Sequence, residues 1–188
     1  HRRVTLIDTP GHVDFSAEAE RVMPILDCAV LVISGTDGVQ AHTKTLWQLL
    51  GRYGVPTFLF INKMDLPGAD RQALLESLRR ELGEGCVDFT QDRESIAENA
   101  ALCDEALLES VLSGAPVTDG NLGQLMERRK LFPVYFGAAL KLEGVEALLA
   151  GLDAYGPRRQ YPDAFAARVY KISRDAQGNR LTWLKITG

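Results

Sequence analysis

Short apolar runs alternate with amphipathic helical stripes along most of this chain, and that alternation restricts the fold more than any other feature. Residues 28–33, 57–61 and 132–136 are branched or aromatic with almost no polar interruption. Such runs are the pattern of parallel strands covered on both faces. Helical spacing fills the intervals. After Asp14, a predicted cap, Phe15, Ala19, Met23 and Leu26 recur on one face. Leu46, Leu49, Leu50 and Tyr53 mark a second helix, and Gly54 and Pro56 separate it from the next strand. Asp70 caps a third helix bearing Leu74, Leu78 and Leu82, and Val145, Leu148, Leu149 and Leu152 share a fourth. The fold class is therefore α/β, a doubly wound and mostly parallel sheet. The stripes themselves read as core.

In such sheets ligands sit outside the carboxyl ends of the strands. Three strings fall there. Val4-Thr5-Leu6-Ile7 reads as a strand running into Asp8-Thr9-Pro10-Gly11-His12, where an acid projects into the crevice and a glycine offers an open backbone N–H to a phosphate. The strand at 57–61 runs into Asn62-Lys63-Met64-Asp65, and that at 132–136 into Gly137-Ala138-Ala139-Leu140, small residues that let the backbone approach a ligand. Each string alone is weak. Their order and shared sheet position make one site.

Asp-Thr-Pro-Gly-His resembles the third motif of translation GTPases, Asn-Lys-x-Asp their guanine-reading motif, and Gly-Ala-Ala-Leu their fifth. The resemblance covers nearly the whole chain, which is similar to translational GTPases of the elongation factor G group. Within that group Asp37-Gly38-Val39-Gln40-Ala41-His42-Thr43 and Leu131-Phe132-Pro133-Val134-Tyr135 look closest to tetracycline-resistance ribosomal protection proteins. It implies a nucleotide site of Asp8, Thr9, Pro10, Gly11, His12, Asn62, Lys63, Asp65, Ala138, Ala139 and Leu140. In it the Asp65 carboxylate accepts two parallel N–H bonds from guanine, a pairing adenine cannot offer. By the same resemblance Lys63 lays its stem along the base, Asn62 ties neighbouring loops, and Ala139 gives its N–H to guanine O6. Gly11 senses the terminal phosphate, Asp8 reaches Mg2+ through water, and His12 positions the attacking water as the catalytic residue. The implied cofactors are GTP or GDP with Mg2+, and the implied partner is the ribosome.

Three departures qualify this. The family has serine before Ala139, whereas this chain has Ala138, a lost hydrogen bond worth about 1 kcal/mol. No Gly-x-x-x-x-Gly-Lys-Ser/Thr occurs, and the switch threonine that precedes Asp8 in the family is missing. The chain is accordingly read as a fragment of a G domain without its phosphate loop. GTP hydrolysis belongs to the full-length protein, and the fragment is expected to be inactive and to bind nucleotide weakly or not at all. Full-length function is expected to be ribosomal protection against tetracycline, with translocation by elongation factor G as the alternative. From other classes come a nucleotide-free interaction module and a dehydrogenase, the latter lacking any Gly-x-Gly-x-x-Gly after a strand.

Residues 1–156 are expected to form the partial G domain, with an insertion at about 83–130 in which one clear helix, 104–112, stands out. Residues 157–163 read as a linker, and 164–188 as the first hairpin of a β-barrel, turning at 175–179. With 46% hydrophobic residues and three cysteines lacking ligand spacing, the chain reads as cytoplasmic, without zinc and without a membrane span. A net charge of -4 argues against sequence-specific or broad nucleic-acid binding by this segment. Loss of the phosphate-loop strand predicts a gap between the strands at Val4 and Cys28, and hence oligomerisation, strand swapping or marginal stability.

Overall fold

The computed structural model describes residues 4–9 and 16–188. Four strands form one parallel sheet: β1 (Ala29–Ser34), β2 (Thr57–Asn62), β3 (Cys86–Asp88) and β4 (Phe132–Phe136), in the order β1-β2-β4-β3. Strand β2 is central. It pairs with β1 from Ala29↔Thr57 to Ser34↔Asn62 and with β4 from Leu59↔Val134 to Ile61↔Phe136. The parallel arrangement is what its continuous apolar run requires, because both faces are covered.

The pleat sorts the side chains. Phe58, Phe60, Val87 and Tyr135 point to one face and pack under α4 (Arg93–Ala101), α6 (Asp119–Glu127) and α7 (Val145–Tyr155). Leu59, Ile61, Phe132, Val134 and Phe136 point to the other, against α2 (Ala41–Arg52) and α3 (Arg71–Leu82). Strand β1 joins only the second layer, through Leu31 and Ile33. On its other face Val30 and Val32 are 37% and 57% exposed. Among the described residues β1 is paired on one side only.

Three local expectations change. Residues 4–9 form no strand, and Val4 and Leu6 are exposed. Extended backbone is held by a ladder partner, and none of the described strands pairs with this segment. The first helix, α1 (Ser16–Val22), stops before Met23 instead of running on to Leu26. Pro24 has no N–H to continue it, so a 3-10 turn at Met23–Ile25 follows and Leu26 is extended. The stretch 83–130 holds β3 and three helices rather than one. Asp92, Asp104 and Thr118 accept backbone N–H bonds at the starts of α4, α5 (Glu105–Leu112) and α6, and Ile96, Ala100, Leu122, Leu125 and Met126 enter the core.

Arg129, in the left-handed region at φ 56°, fastens this layer to β2. Its guanidinium donates to the Val55 carbonyl and to Thr57 Oγ1 at 2.8 Å, and lies over the rings of Trp47 and Phe132.

Strands β5 (Ala167–Arg174) and β6 (Arg180–Ile186) form a separate antiparallel hairpin, irregular between Val169 and Lys171. Its turn is closed by Asp175, whose Oδ1 accepts from the N–H groups of Gln177 and Asn179. Polar contacts hold it to the α/β layer. Asp27 receives Lys185 Nζ at 2.6 Å, Arg159 Nε at 3.2 Å and the Tyr161 hydroxyl at 3.2 Å, while Lys171 reaches Glu18 at 3.3 Å. No described helix is long and apolar enough to cross a membrane.

Candidate functional site

The loops that leave the carboxyl ends of β1, β2 and β4 are stitched together. Gly35 N–H donates to the Asn62 carbonyl at 2.7 Å, and Met64 N–H to the Gly137 carbonyl at 3.0 Å. The side chain of Asn62 completes the seam. Its Oδ1 accepts the N–H of Lys63 at 2.8 Å and that of Ala139 at 2.9 Å. One amide oxygen therefore fixes both loops that the sequence singles out. The Ala139 N–H, which the resemblance assigns to guanine O6, is here donated to Asn62.

Backbone strain concentrates at the same place. Lys63 sits at φ 64° and Leu142 at φ 62°, conformations that side chains rarely adopt and that collect at ligand sites. The β4 loop has no slack. Ala138 and Glu143 form an isolated bridge, the 3-10 turn Ala139–Lys141 lies between them, and a side-chain carbon on Gly137 would strike the Glu143 carbonyl and the Phe60 ring. Gly144, at φ 75°, abuts the Phe136 carbonyl.

Asp65 lies on the β2 loop at the surface, its side chain 22% exposed, and Lys63 beside it is exposed. Lys141 Nζ reaches Asp65 Oδ2 at 2.8 Å. This hydrogen bond holds the Asp65 carboxyl below the usual carboxylate range and raises the Lys141 ammonium in turn, against an opposing contribution from partial burial. Sequence reasoning missed Lys141, since no motif marks it and only the turn brings it to Asp65. Ala138 is buried, and Leu140 is almost wholly exposed at the rim.

The phosphate side of the expected site divides differently. Asp8 and Thr9 are described, with Asp8 exposed, while Pro10, Gly11 and His12 lie outside the described residues. Among the described residues no three acidic, histidine or cysteine side chains converge to hold a metal. Asp8 would supply one carboxylate toward Mg2+, which takes about six oxygen ligands and draws most of them from waters and substrate phosphates. A hollow between α5 and α6 is lined by Asp104, Leu107, Ser110, Asn121, Gln124 and Arg128, none of them from the strand-end loops.

Known proteins are similar to this chain in sequence and in fold. The chain is 34% identical over 209 residues to tetracycline resistance protein TetW of Butyrivibrio fibrisolvens, covering 99% of the chain and 32% of that protein. It is 33% identical over 212 residues to the oxytetracycline resistance protein of Streptomyces rimosus, covering 98% of the chain and 32% of that protein. With elongation factor G 1 of Geobacter sulfurreducens it shares 28% identity over 257 residues, covering 99% and 37%. The chain thus spans about a third of the length of these relatives. A solved structure from Thermus thermophilus superposes with a TM-score of 0.82 at 24% identity, over 96% of this chain and 34% of that one, which shows the shared fold. Residues 1–158 match the family described as the elongation factor Tu GTP binding domain, and the chain belongs to that family of translational GTPase domains.

Proposed function

We propose that this chain is the guanine-reading part of a ribosome-dependent translational GTPase of the tetracycline-resistance, ribosomal protection kind. The observation that carries the reading is the Asn62 amide joining the Asp65 loop to the Ala139 loop, with Asp65 at the surface of the seam. In this reading Asp65 takes the two N–H groups of guanine, Lys63 and Leu140 flank the base, and Ala138 and Ala139 form its backing. Asp8, Thr9, Pro10, Gly11 and His12 serve the phosphate side, His12 positioning the attacking water and Asp8 facing a magnesium ion in the full-length protein. Residues 1–156 are then a G domain part and 164–188 the opening hairpin of a β-barrel, joined by 157–163. The setting is the cytoplasm. Translocation of the elongation factor G type is the second reading, favoured by the match to elongation factor G 1.

Hydrolysis is assigned to the full-length protein. This sequence has no Gly-x-x-x-x-Gly-Lys-Ser/Thr, the cradle that supplies most of the electrostatic stabilisation in phosphoryl transfer. Titration with fluorescent GDP, competed by GDP or ADP, tests the base reading: weak binding displaced by GDP alone is expected, and equal displacement by ADP would overturn it. Release of ribosome-bound tetracycline by the full-length protein, set against its translocation rate, separates the two biological readings.

A further inference from the structure

The carboxylate that reads guanine in the proposed site is already occupied by a residue of the chain itself. Lys141 Nζ lies 2.8 Å from Asp65 Oδ2, and the backbone that carries it is pinned. Lys141 N–H donates to the Ala138 carbonyl at 2.9 Å, Leu142 N–H to the Ala139 carbonyl at 3.0 Å, and Glu143 closes the turn on Ala138. Gly137 and Gly144 pack so close to neighbouring backbone that a side-chain carbon at either would collide with it. The side chain itself reaches solvent. It is 54% exposed, and a lysine has rotatable donors on a flexible stem.

We propose that Lys141 is an internal competitor for Asp65: its ammonium sits on the carboxylate when no base is bound and swings away before guanine seats, lowering the site's affinity for guanine nucleotides. The proposal rests on the reading of Asp65 as the base-reading residue. A carboxylate reads two parallel N–H groups with both oxygens, and the ammonium holds one of them as a point charge. The neighbouring backbone donor is engaged in the same way, since the Ala139 N–H is bonded to Asn62. Two of the groups that would meet a base are therefore satisfied internally. The mutual shifts of Asp65 and Lys141 agree with a formed pair, and Glu143 adds to the raised Lys141.

The test replaces Lys141 with Met, which keeps the stem and removes the charge, and with Arg, which keeps the charge. Carbon-detected NMR titration of the Asp65 carboxyl comes first. Its midpoint is expected below the usual range in the unmodified chain and in Lys141→Arg, and back near the ordinary value in Lys141→Met. An unchanged midpoint in Lys141→Met means the pair does not form and overturns the proposal whatever the nucleotide does. GDP affinity is then measured against ADP. Lys141→Met is expected to bind GDP more tightly by up to about five-fold, the scale of exposed ion pairs. The gain is expected to shrink as potassium chloride screens the pair. Equal or weaker GDP binding by Lys141→Met, with guanine still preferred over adenine, overturns the competitor while leaving the base site standing. Loss of the guanine preference in every variant overturns the base reading itself, and the competitor with it.

Discussion

The amide oxygen of Asn62 accepts the backbone N–H of Ala139 at 2.9 Å, joining the loop after β2 to the loop after β4. The same oxygen accepts Lys63 N–H, so it holds a left-handed residue and a neighbouring loop at once. Asn62→Ala leaves the partly covered Ala139 N–H without its partner and hands the exposed Lys63 N–H to water, at about 1–3 kcal/mol. Urea unfolding is expected to show a loss in that range, together with weaker guanine binding. An unchanged midpoint would show that water replaces the amide at no cost.

Gly151 on α7 faces the hydroxyl of buried Tyr135 with no space for a methyl group. In an open helix Gly→Ala stabilises by about 1 kcal/mol, whereas overpacking a core costs about 1–3 kcal/mol. Gly151→Ala is therefore expected to be net destabilising. Tyr135→Phe removes the nearer colliding atom and leaves the ring carbon Cζ at 2.6 Å, so a double variant that recovers part of the loss would identify the contact as the cause.

Asp104 is held below the usual carboxylate range first by the Lys130 ammonium at 2.6 Å and then by the Leu107 N–H. Asp92 is lowered by the Ser95 N–H and hydroxyl. The folded values lie below the unfolded value of about 3.9, so this stability is present above that pH and fades as acid protonates the folded carboxylates. Thermal midpoints are expected to stay level from neutral pH to about pH 5 on this account and to fall below about pH 4. Asp104→Asn should flatten part of the fall, and an identical acid profile would exclude this residue from it.

Burial pushes the Cys86 thiol up to about 12. The thiolate is the reactive form, so Cys86 is expected to resist a disulfide reagent at mildly alkaline pH until the chain unfolds. Peptide mapping after brief native labelling would refute this by finding Cys86 modified as fast as in denaturant.

Much of the architecture is legible because buried parallel strands announce themselves as unbroken apolar runs, as at 57–61 and 132–136. Asp70 is readable as a cap for the same local reason: its Oδ1 accepts Gln72 and Ala73 N–H groups one turn away. Helices α4 and α6 are not, since the small Ala100 and the weak helix formers Gly120 and Gly123 blur the stripe. Contacts of Ile96, Leu122 and Met126 with the core hold them instead. The segment at Val4 misleads because strand propensity without a ladder partner does not make a strand. Asp65 can be found from its motif. Lys141 cannot, because its contact exists only once the turn after β4 is folded beside β2.

Asp27 gathers an ammonium, a guanidinium and a hydroxyl from the hairpin and the segment before it. Because this fastening is largely ionic, added electrolyte is expected to loosen the hold of the β5–β6 hairpin on the α/β layer.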